Sequence, residues 1–234
     1  MSRYEAVIFD KDGTLFDFGA TWGAWARRVL GDLAEHDTAL AGRVASALGF
    51  DLATARYDPD SPAISGTIAQ TAAIIAAVME RPRPEIEAFL TRRATDARAV
   101  PVAPLAPLLN ALSARGLRLA LATNDSLAPT LAQLRAAGIE WLLSQVRTAG
   151  PGVRPKPHPD MLLSIAAALK LAPARVLMVG DSRADIAAAR AAGMDVVAVL
   201  SGPTEPVSLA GADAVIDHIG MLPSWLDAAG QCHP

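Results

Sequence analysis

Two aspartates stand two positions apart near the amino terminus, in Asp10-Lys11-Asp12-Gly13-Thr14. If the backbone is still extended there, the side chains of Asp10 and Asp12 point to one side and that of Lys11 points to the other. Two carboxylates on one face need a cation or a shared proton, and magnesium suits them where a phosphate completes the coordination shell. The alternative is a simple turn at the end of a strand, because Asp and Gly are favoured turn residues.

A second acidic group follows an apolar run far downstream, in Gly180-Asp181-Ser182-Arg183-Ala184-Asp185. Open α/β sheets bind ligands where their strands end, so Asp181 is a candidate metal ligand. Ser182 and Asp185 are spaced as a helix capping box, which by itself would explain both residues. Asp185 is therefore either a metal ligand or a helix cap.

Two further segments carry groups that could bind an anion. Thr123 and Asn124 follow a third apolar run and precede a helix, whose free N–H groups can receive an anion. For Thr123 the alternative is an N-cap. Lys156 lies between Pro155 and Pro157, which restrict the backbone and fix the direction of the ammonium group, although a solvated surface lysine is the default.

The apolar runs that precede these residues predict an α/β fold with a doubly wound parallel sheet, that is, a Rossmann-like core. Short apolar runs predict buried strands, and stretches with helical spacing alternate with them. This alternation implies right-handed crossovers and helices on both faces of the sheet. The predicted strands cover residues 4–9, 117–122, 176–179 and 196–200. We expect residues 1–16 and 99–234 to form this catalytic core.

Residues 17–98 follow a helical pattern instead. Apolar residues recur there at helical spacing, as in Trp22, Trp25, Val29 and Leu33. We therefore expect an all-helical cap domain inserted after the first strand. The uncharged stretch 61–79 contains several polar residues, which dilute it below a membrane span of about 20 apolar residues. It is expected to be a buried helix.

Composition narrows the class of protein. The net charge of the 234 residues is −3 and no long basic run occurs, so no nucleic-acid partner is expected. Cys232 is the single cysteine and can form neither an internal disulfide nor a zinc site of the usual ligand count, which favours a reducing compartment. The apolar run before Asp10 is too short for a signal peptide. We expect a cytoplasmic protein without a membrane partner.

Taken together and in order, the four groups resemble the four motifs of the haloacid dehalogenase-like hydrolase superfamily. The most specific part is Phe9-Asp10-Lys11-Asp12-Gly13-Thr14-Leu15, combined with Gly180-Asp181 and Asp185. The helical insert is similar to the cap of the phosphoglycolate phosphatase-like branch. Lys11 stands where many relatives carry an apolar residue.

This resemblance implies a magnesium-dependent phosphatase that acts on a small phosphorylated metabolite, as a monomer or a homodimer. Asp10 would attack phosphorus and form an aspartyl-phosphate. Asp12 would protonate the leaving alcohol and then activate water. Thr123, the backbone N–H of Asn124 and Lys156 would bind the phosphoryl group.

The resemblance also implies a set of ligands for Mg²⁺. These are Asp10, Asp12 through its backbone carbonyl, Asp181 and Asp185, the last directly or through water. The ion would screen the repulsion between carboxylate and phosphate.

Other functions are compatible with parts of this pattern. A dehalogenase of the same fold lacks the second aspartate, which is present here as Asp12. A sugar-phosphate mutase keeps all four motifs and remains the alternative. A receiver module would place its acidic groups in a different order within about 120 residues. A catalytically silent phosphate-binding relative would not need the full set of acids.

Overall fold

Parallel strands form the central sheet of the computed structural model, which describes residues 3–231. Within these residues the strands are β1 (Ala6–Phe9), β2 (Phe50–Asp51), β3 (Arg56–Tyr57), β4 (Arg118–Thr123), β5 (Gln145–Thr148), β6 (Val176–Gly180), β7 (Asp195–Val199) and β8 (Ala214–Ile216). Six of them pair in the order β5-β4-β1-β6-β7-β8, and every pair is parallel. Cys232, on which the expectation of a reducing compartment rests, lies outside the described residues.

The register of the central strands brings their carboxyl ends to one level. Phe9 at the end of β1 is paired with Leu121 of β4 on one side and with Val179 of β6 on the other. All four residues of β1 are buried and apolar, because both faces of the strand are covered. The residues that follow β1, β4 and β6 therefore meet at one edge of the sheet.

Helices cover both faces of this sheet. The helices are α1 (Phe18–Leu33), α2 (Thr38–Ala47), α3 (Pro62–Ser65), α4 (Ile68–Met79), α5 (Arg83–Ala94), α6 (Leu105–Ala114), α7 (Leu127–Ala136), α8 (Asp160–Leu169), α9 (Arg183–Ala192) and α10 (Leu222–Gln231). On one face Phe9 packs in a cluster with Leu109 of α6 and Leu134 of α7. On the other face Ile8 packs with Ile165 of α8 and Ala189 of α9. This layering confirms the predicted doubly wound α/β fold.

Helices α1 to α5 form the part of the chain predicted to be helical, residues 17–98, which we call the helical segment. They share an apolar cluster of their own, in which Val29 of α1 and Ile75 of α4 are buried together with Leu90 of α5. The segment is not wholly helical, because β2 and β3 form a short antiparallel pair. The predicted helix in the stretch 61–79 is divided at Thr67, which caps the amino end of α4 in a capping box with Gln70.

No helix within residues 3–231 has the length and apolar character that crossing a bilayer requires.

Candidate active site

Four predicted site residues converge at the edge where the central strands end. Asp10 directly follows β1, and its backbone N–H donates to the carbonyl of Val179 in β6 (2.8 Å). Lys156 comes from the loop after β5, and its Nζ lies 2.6 Å from Asp10 Oδ1 and 2.6 Å from Asp185 Oδ1. Asp181 follows β6. All four side chains are buried.

Three of these carboxylates are close enough to share a cation. Asp10, Asp181 and Asp185 each offer one oxygen, and these oxygens all lie within 4.8 Å of one another. Within residues 3–231, Lys156 is the single cation in direct contact with this group, so three buried acids face one ammonium. An all-oxygen donor set with excess negative charge fits a hard divalent ion.

The ionisation of the cluster reflects this excess of acid. Burial raises the pKa of Asp10 to about 6, although the adjacent Lys156 ammonium lowers it. Burial, with the nearby Asp10 and Asp185, also raises the pKa of Asp181 well above its usual range. For Lys156, burial lowers the pKa, but Asp10 and Asp185 outweigh burial and the net pKa is raised. Lys156 is therefore charged at neutral pH, and the acids would be stabilised by further positive charge.

Asp185 caps α9, and its role as a metal ligand stays a prediction. Its Oδ2 accepts hydrogen bonds from the backbone N–H of Ser182 (3.1 Å) and from the Ser182 hydroxyl (2.6 Å). These contacts form the predicted capping box at the start of α9. Its other oxygen contacts Lys156 and belongs to the acidic cluster. Helix capping thus orients Asp185 without occupying both of its oxygens.

The Asp12 carboxylate lies outside the three-acid cluster and is held by two other side chains. Trp22 Nε1, from α1, donates to Asp12 Oδ1 (2.8 Å), and Lys11 Nζ lies 2.8 Å from Asp12 Oδ2. Lys11 is fully buried; it also contacts Asp125 Oδ2 (3.0 Å) and donates to Gln133 Oε1. Although β1 ends at Phe9, Asp10 and Asp12 both line one cavity, whereas Lys11 does not. The assignment of the Asp12 backbone carbonyl to the metal stays a prediction.

Thr123 and Asn124 lie at the carboxyl end of β4, as predicted. The Asn124 side chain also makes hydrogen bonds that the sequence did not predict. The Thr123 hydroxyl accepts from the backbone N–H of Asp125 (3.1 Å). Asn124 Oδ1 accepts from the backbone N–H of Lys156 (2.8 Å), and Asn124 Nδ2 donates to the Lys156 carbonyl (3.0 Å). Nδ2 also donates to the carbonyl of Ser65 in the helical segment (2.8 Å). Asn124 therefore fixes the backbone that carries Lys156.

Two residues of the first motif support Asp181. The Thr14 hydroxyl donates to Asp181 Oδ1 (3.2 Å). Gly13 adopts φ +87°, and a Cβ there would lie 2.3 Å from Asp181 Oδ2, so a side chain fits neither the backbone nor the space. The sequence signal for both Gly13 and Thr14 is their position in the first motif. No sequence signal identified Asp125 or Gln133, which meet Lys11 only through the fold.

A cavity leads from these carboxylates into the helical segment. Asp10, Lys156 and Asp181 lie at one end of it, and side chains of α1, α4 and α5 line the other. The Trp22–Asp12 and Asn124–Ser65 hydrogen bonds close the segment over the sheet edge. The arrangement can hold a phosphate ester, with its phosphoryl group beside the acids and its organic part beneath the helices.

Comparison with known proteins identifies the family. Residues 4–193 match the family model described as haloacid dehalogenase-like hydrolase. The phosphoglycolate phosphatase of Rhodospirillum rubrum is 36% identical over 237 residues, which cover 95% of this chain and 90% of that protein. A plasmid phosphoglycolate phosphatase of Cupriavidus necator is 32% identical over 231 residues, which cover 96% of this chain and 94% of that protein.

Solved structures share the fold. CbbY from Rhodobacter sphaeroides, in complex with phosphate, superposes with a TM-score of 0.70 at 23% identity, over 96% of this chain and 99% of that one. β-Phosphoglucomutase from Clostridium difficile superposes with a TM-score of 0.66 at 17% identity, over 97% of this chain and 98% of that one. With the motif residues gathered at one sheet edge and the family model matched over most of its length, the chain belongs to the haloacid dehalogenase-like hydrolases.

Proposed function

We propose that this protein is a phosphatase that hydrolyses a small phosphomonoester through a covalent intermediate on Asp10. The observation that carries the proposal is the buried Asp10 carboxylate, held 2.6 Å from Lys156 beside Asp181 and Asp185. The 36% and 32% identical relatives, which are phosphoglycolate phosphatases, support it.

Asp10 and Asp12 divide the chemistry between them. An Asp10 oxygen attacks phosphorus as the bond to the alcohol oxygen breaks, which gives an aspartyl-phosphate. Asp12 donates a proton to the departing alcohol oxygen and then accepts one from the water that attacks the intermediate. That attack releases inorganic phosphate and restores Asp10. The hydrogen bond from Trp22 and the contact with Lys11 fix the Asp12 carboxylate near the cavity.

Lys156, Thr123 and the backbone N–H of Asn124 bind the phosphoryl oxygens. The Lys156 ammonium lies 2.6 Å from Asp10 Oδ1, where it can also meet the negative charge that develops on the phosphoryl oxygens. Pro155 and Pro157 restrict its backbone, and Asn124 holds that backbone from both its N–H and its carbonyl. The ammonium is thus positioned before substrate binds, which lowers the cost of reorganisation in the transition state.

Asp10, Asp181, Asp185 and the backbone carbonyl of Asp12 are the proposed ligands of Mg²⁺. When bound, the ion neutralises charge on the carboxylates and on the phosphoryl oxygens. The excess of buried acid and the raised pKa values of Asp10 and Asp181 support a divalent cation at this position.

We propose residues 17–98 as a cap domain and residues 1–16 with 99–234 as the catalytic core. The helical segment has its own apolar cluster, and its two connections run side by side, since the backbone N–H of Asp17 donates to the Val100 carbonyl (2.8 Å). Two adjacent connections form a natural hinge, and closure of a body over the phosphate excludes water.

The test is phosphate release from a panel of small phosphomonoesters that includes p-nitrophenyl phosphate. Release should require Mg²⁺, stop with excess chelator and be absent from the Asp10→Asn variant. Full activity with excess chelator would remove the metal from the mechanism, and activity of Asp10→Asn would remove the nucleophile. Conversion of a sugar phosphate to its isomer without phosphate release would favour the mutase.

A further inference from the structure

We propose that the alcohol part of the substrate is an uncharged, largely apolar group and not a carboxylic acid. This inference rests on the proposed phosphatase activity and concerns the cavity between the sheet edge and the helical segment. The lining of that cavity differs sharply from one end to the other.

The end of the cavity within the helical segment is apolar. Phe18, Trp25 and Leu30 of α1 line it, as do Ile68 and Ile75 of α4. Several of these side chains are almost fully buried in the folded chain, so the cavity reaches between the helices and is not an open surface groove. Each methylene that enters such a space gains binding equivalent to about a fourfold change in affinity.

The charged residues that line the cavity all lie at the core end. They are Asp10, Asp12, Asp125, Lys156 and Asp181. No lysine, arginine or histidine of residues 18–94 lines the cavity. Arg93 of α5, whose carbonyl accepts from Trp25, directs its guanidinium to Asp32 instead (2.6 Å).

Lys11 is a further cation near the cavity, and Asp12 and Asp125 already neutralise its charge. Its ammonium lies within 3.0 Å of both Asp12 and Asp125, and it sits 5.2 Å from the centre of the Trp22 ring. Its side chain is fully buried and does not line the cavity. Among the described residues, Lys156 is the one cation that lines the cavity, and the phosphoryl group engages it. A carboxylate on the substrate would therefore enter a site already rich in acid without a cation of its own, and burying an unpaired charge is strongly unfavourable.

The polar atoms at the far end are uncharged. The hydroxyl of Tyr57 makes no hydrogen bond to any described residue, and it belongs to a residue that lines the cavity. Thr71 of α4 lines the cavity as well. These groups suit an isolated hydroxyl or ether oxygen on an otherwise apolar alcohol.

The test compares two substrates of nearly the same shape, phosphoglycolate and isobutyl phosphate. An isopropyl group in isobutyl phosphate takes the place of the carboxylate in phosphoglycolate. With Mg²⁺ present, kcat/KM should be at least about tenfold higher for isobutyl phosphate, and it should rise along the series from ethyl to butyl to hexyl phosphate. A higher kcat/KM for phosphoglycolate would overturn the inference while leaving the phosphatase activity standing. Hydrolysis of no ester, p-nitrophenyl phosphate included, would overturn both.

A matched pair of variants locates the effect. Thr71→Lys adds a cation to the cavity wall, and Thr71→Met adds similar length without charge. The ratio of kcat/KM for isobutyl phosphate to that for phosphoglycolate should fall in Thr71→Lys and stay high in Thr71→Met. An unchanged ratio in a Thr71→Lys protein that still hydrolyses p-nitrophenyl phosphate would show that the alcohol does not occupy this cavity.

Discussion

At Asp10, burial and charge determine how the protein should respond to metal and pH. The folded pKa of Asp10 is about 6 and that of Asp181 is also raised, whereas an unfolded aspartate titrates near 3.9. Because the folded values are higher, the contribution of these groups to stability is fully present below about pH 3.9 and is lost as the pH rises through about 6. A bound divalent cation favours the ionised carboxylates and removes that loss.

We therefore predict that Mg²⁺ raises the melting temperature more at pH 7.5 than at pH 5.0. At the lower pH, protons on Asp10 and Asp181 compete with the ion. Thermal unfolding with and without Mg²⁺ at both pH values measures the difference. An equal rise at both values would show that these two carboxyls do not bind the ion.

Lys11 offers a second prediction, about stability. Lys11→Met leaves Asp12 and Asp125 without their buried cation, which should lower the free energy of unfolding by about 3–5 kcal/mol. Adding Asp125→Asn should recover part of the lost free energy of unfolding, because it removes one of the two carboxylates left unpaired. Denaturant unfolding of the single and double variants provides the measurement.

The control for Lys11 is an exposed pair of the same kind. Arg135→Met breaks the contact with Glu140 (2.7 Å) and should lower the free energy of unfolding far less than Lys11→Met does, because surface ion pairs contribute little. If Lys11→Met cost no more than this control, the buried network would not stabilise the fold.

At the scale of elements, α1 connects the helical segment to the reacting groups through Trp22. Trp22→Phe removes the hydrogen bond to Asp12, and a hydrogen bond to a charged group is worth about 1.5–3 kcal/mol. We expect kcat for alkyl phosphates to fall by about ten- to a hundredfold. Hydrolysis of p-nitrophenyl phosphate should fall less, because its leaving group does not need a proton from Asp12.

Trp25→Phe is the matched control, since Trp25 Nε1 donates to the Arg93 carbonyl and not to Asp12 (2.7 Å). It should affect alkyl phosphates and p-nitrophenyl phosphate equally. The same leaving-group dependence in both variants would contradict a specific link between Trp22 and Asp12.

The elements that place the acids could be predicted because their patterns are strong. The apolar runs that became β1, β4, β6 and β7 are buried on both faces, so each is nearly continuous in sequence. The sequence does not predict the edge strand β5, because Gln145 and Arg147 interrupt its apolar pattern. The short pair β2 and β3 has two residues in each strand and carries no periodicity.

For the candidate site, the strand ends and the family resemblance predicted where Asp10, Thr123, Asp181 and Asp185 would meet. The burial of Lys11 could not be predicted in this way. A lysine is fully buried only when it is paired, and the sequence does not show which residues pair with Lys11. Its partners Asp125 and Gln133 lie more than a hundred positions away and are brought to it by folding.

At the scale of the whole molecule, the helical segment should select substrates by size. The side-by-side connections at Asp17 and Val100 allow residues 17–98 to be replaced by a short linker. The intact protein should hydrolyse small esters with a much higher kcat/KM than phosphopeptides, and the shortened protein should show a smaller difference. Phosphopeptides hydrolysed by the intact protein as efficiently as its best small ester would contradict this role.

The central claim is that the phosphoryl group passes through Asp10, and chemical trapping tests it most directly. The Asp12→Asn variant should still react with p-nitrophenyl phosphate but hydrolyse the intermediate slowly, because the group that activates water is lost. Acid quenching followed by borohydride reduction converts an aspartyl-phosphate to homoserine, which mass spectrometry of the peptides locates. We predict homoserine at position 10, dependent on substrate and Mg²⁺; modification at another residue, or none during turnover, would contradict the account.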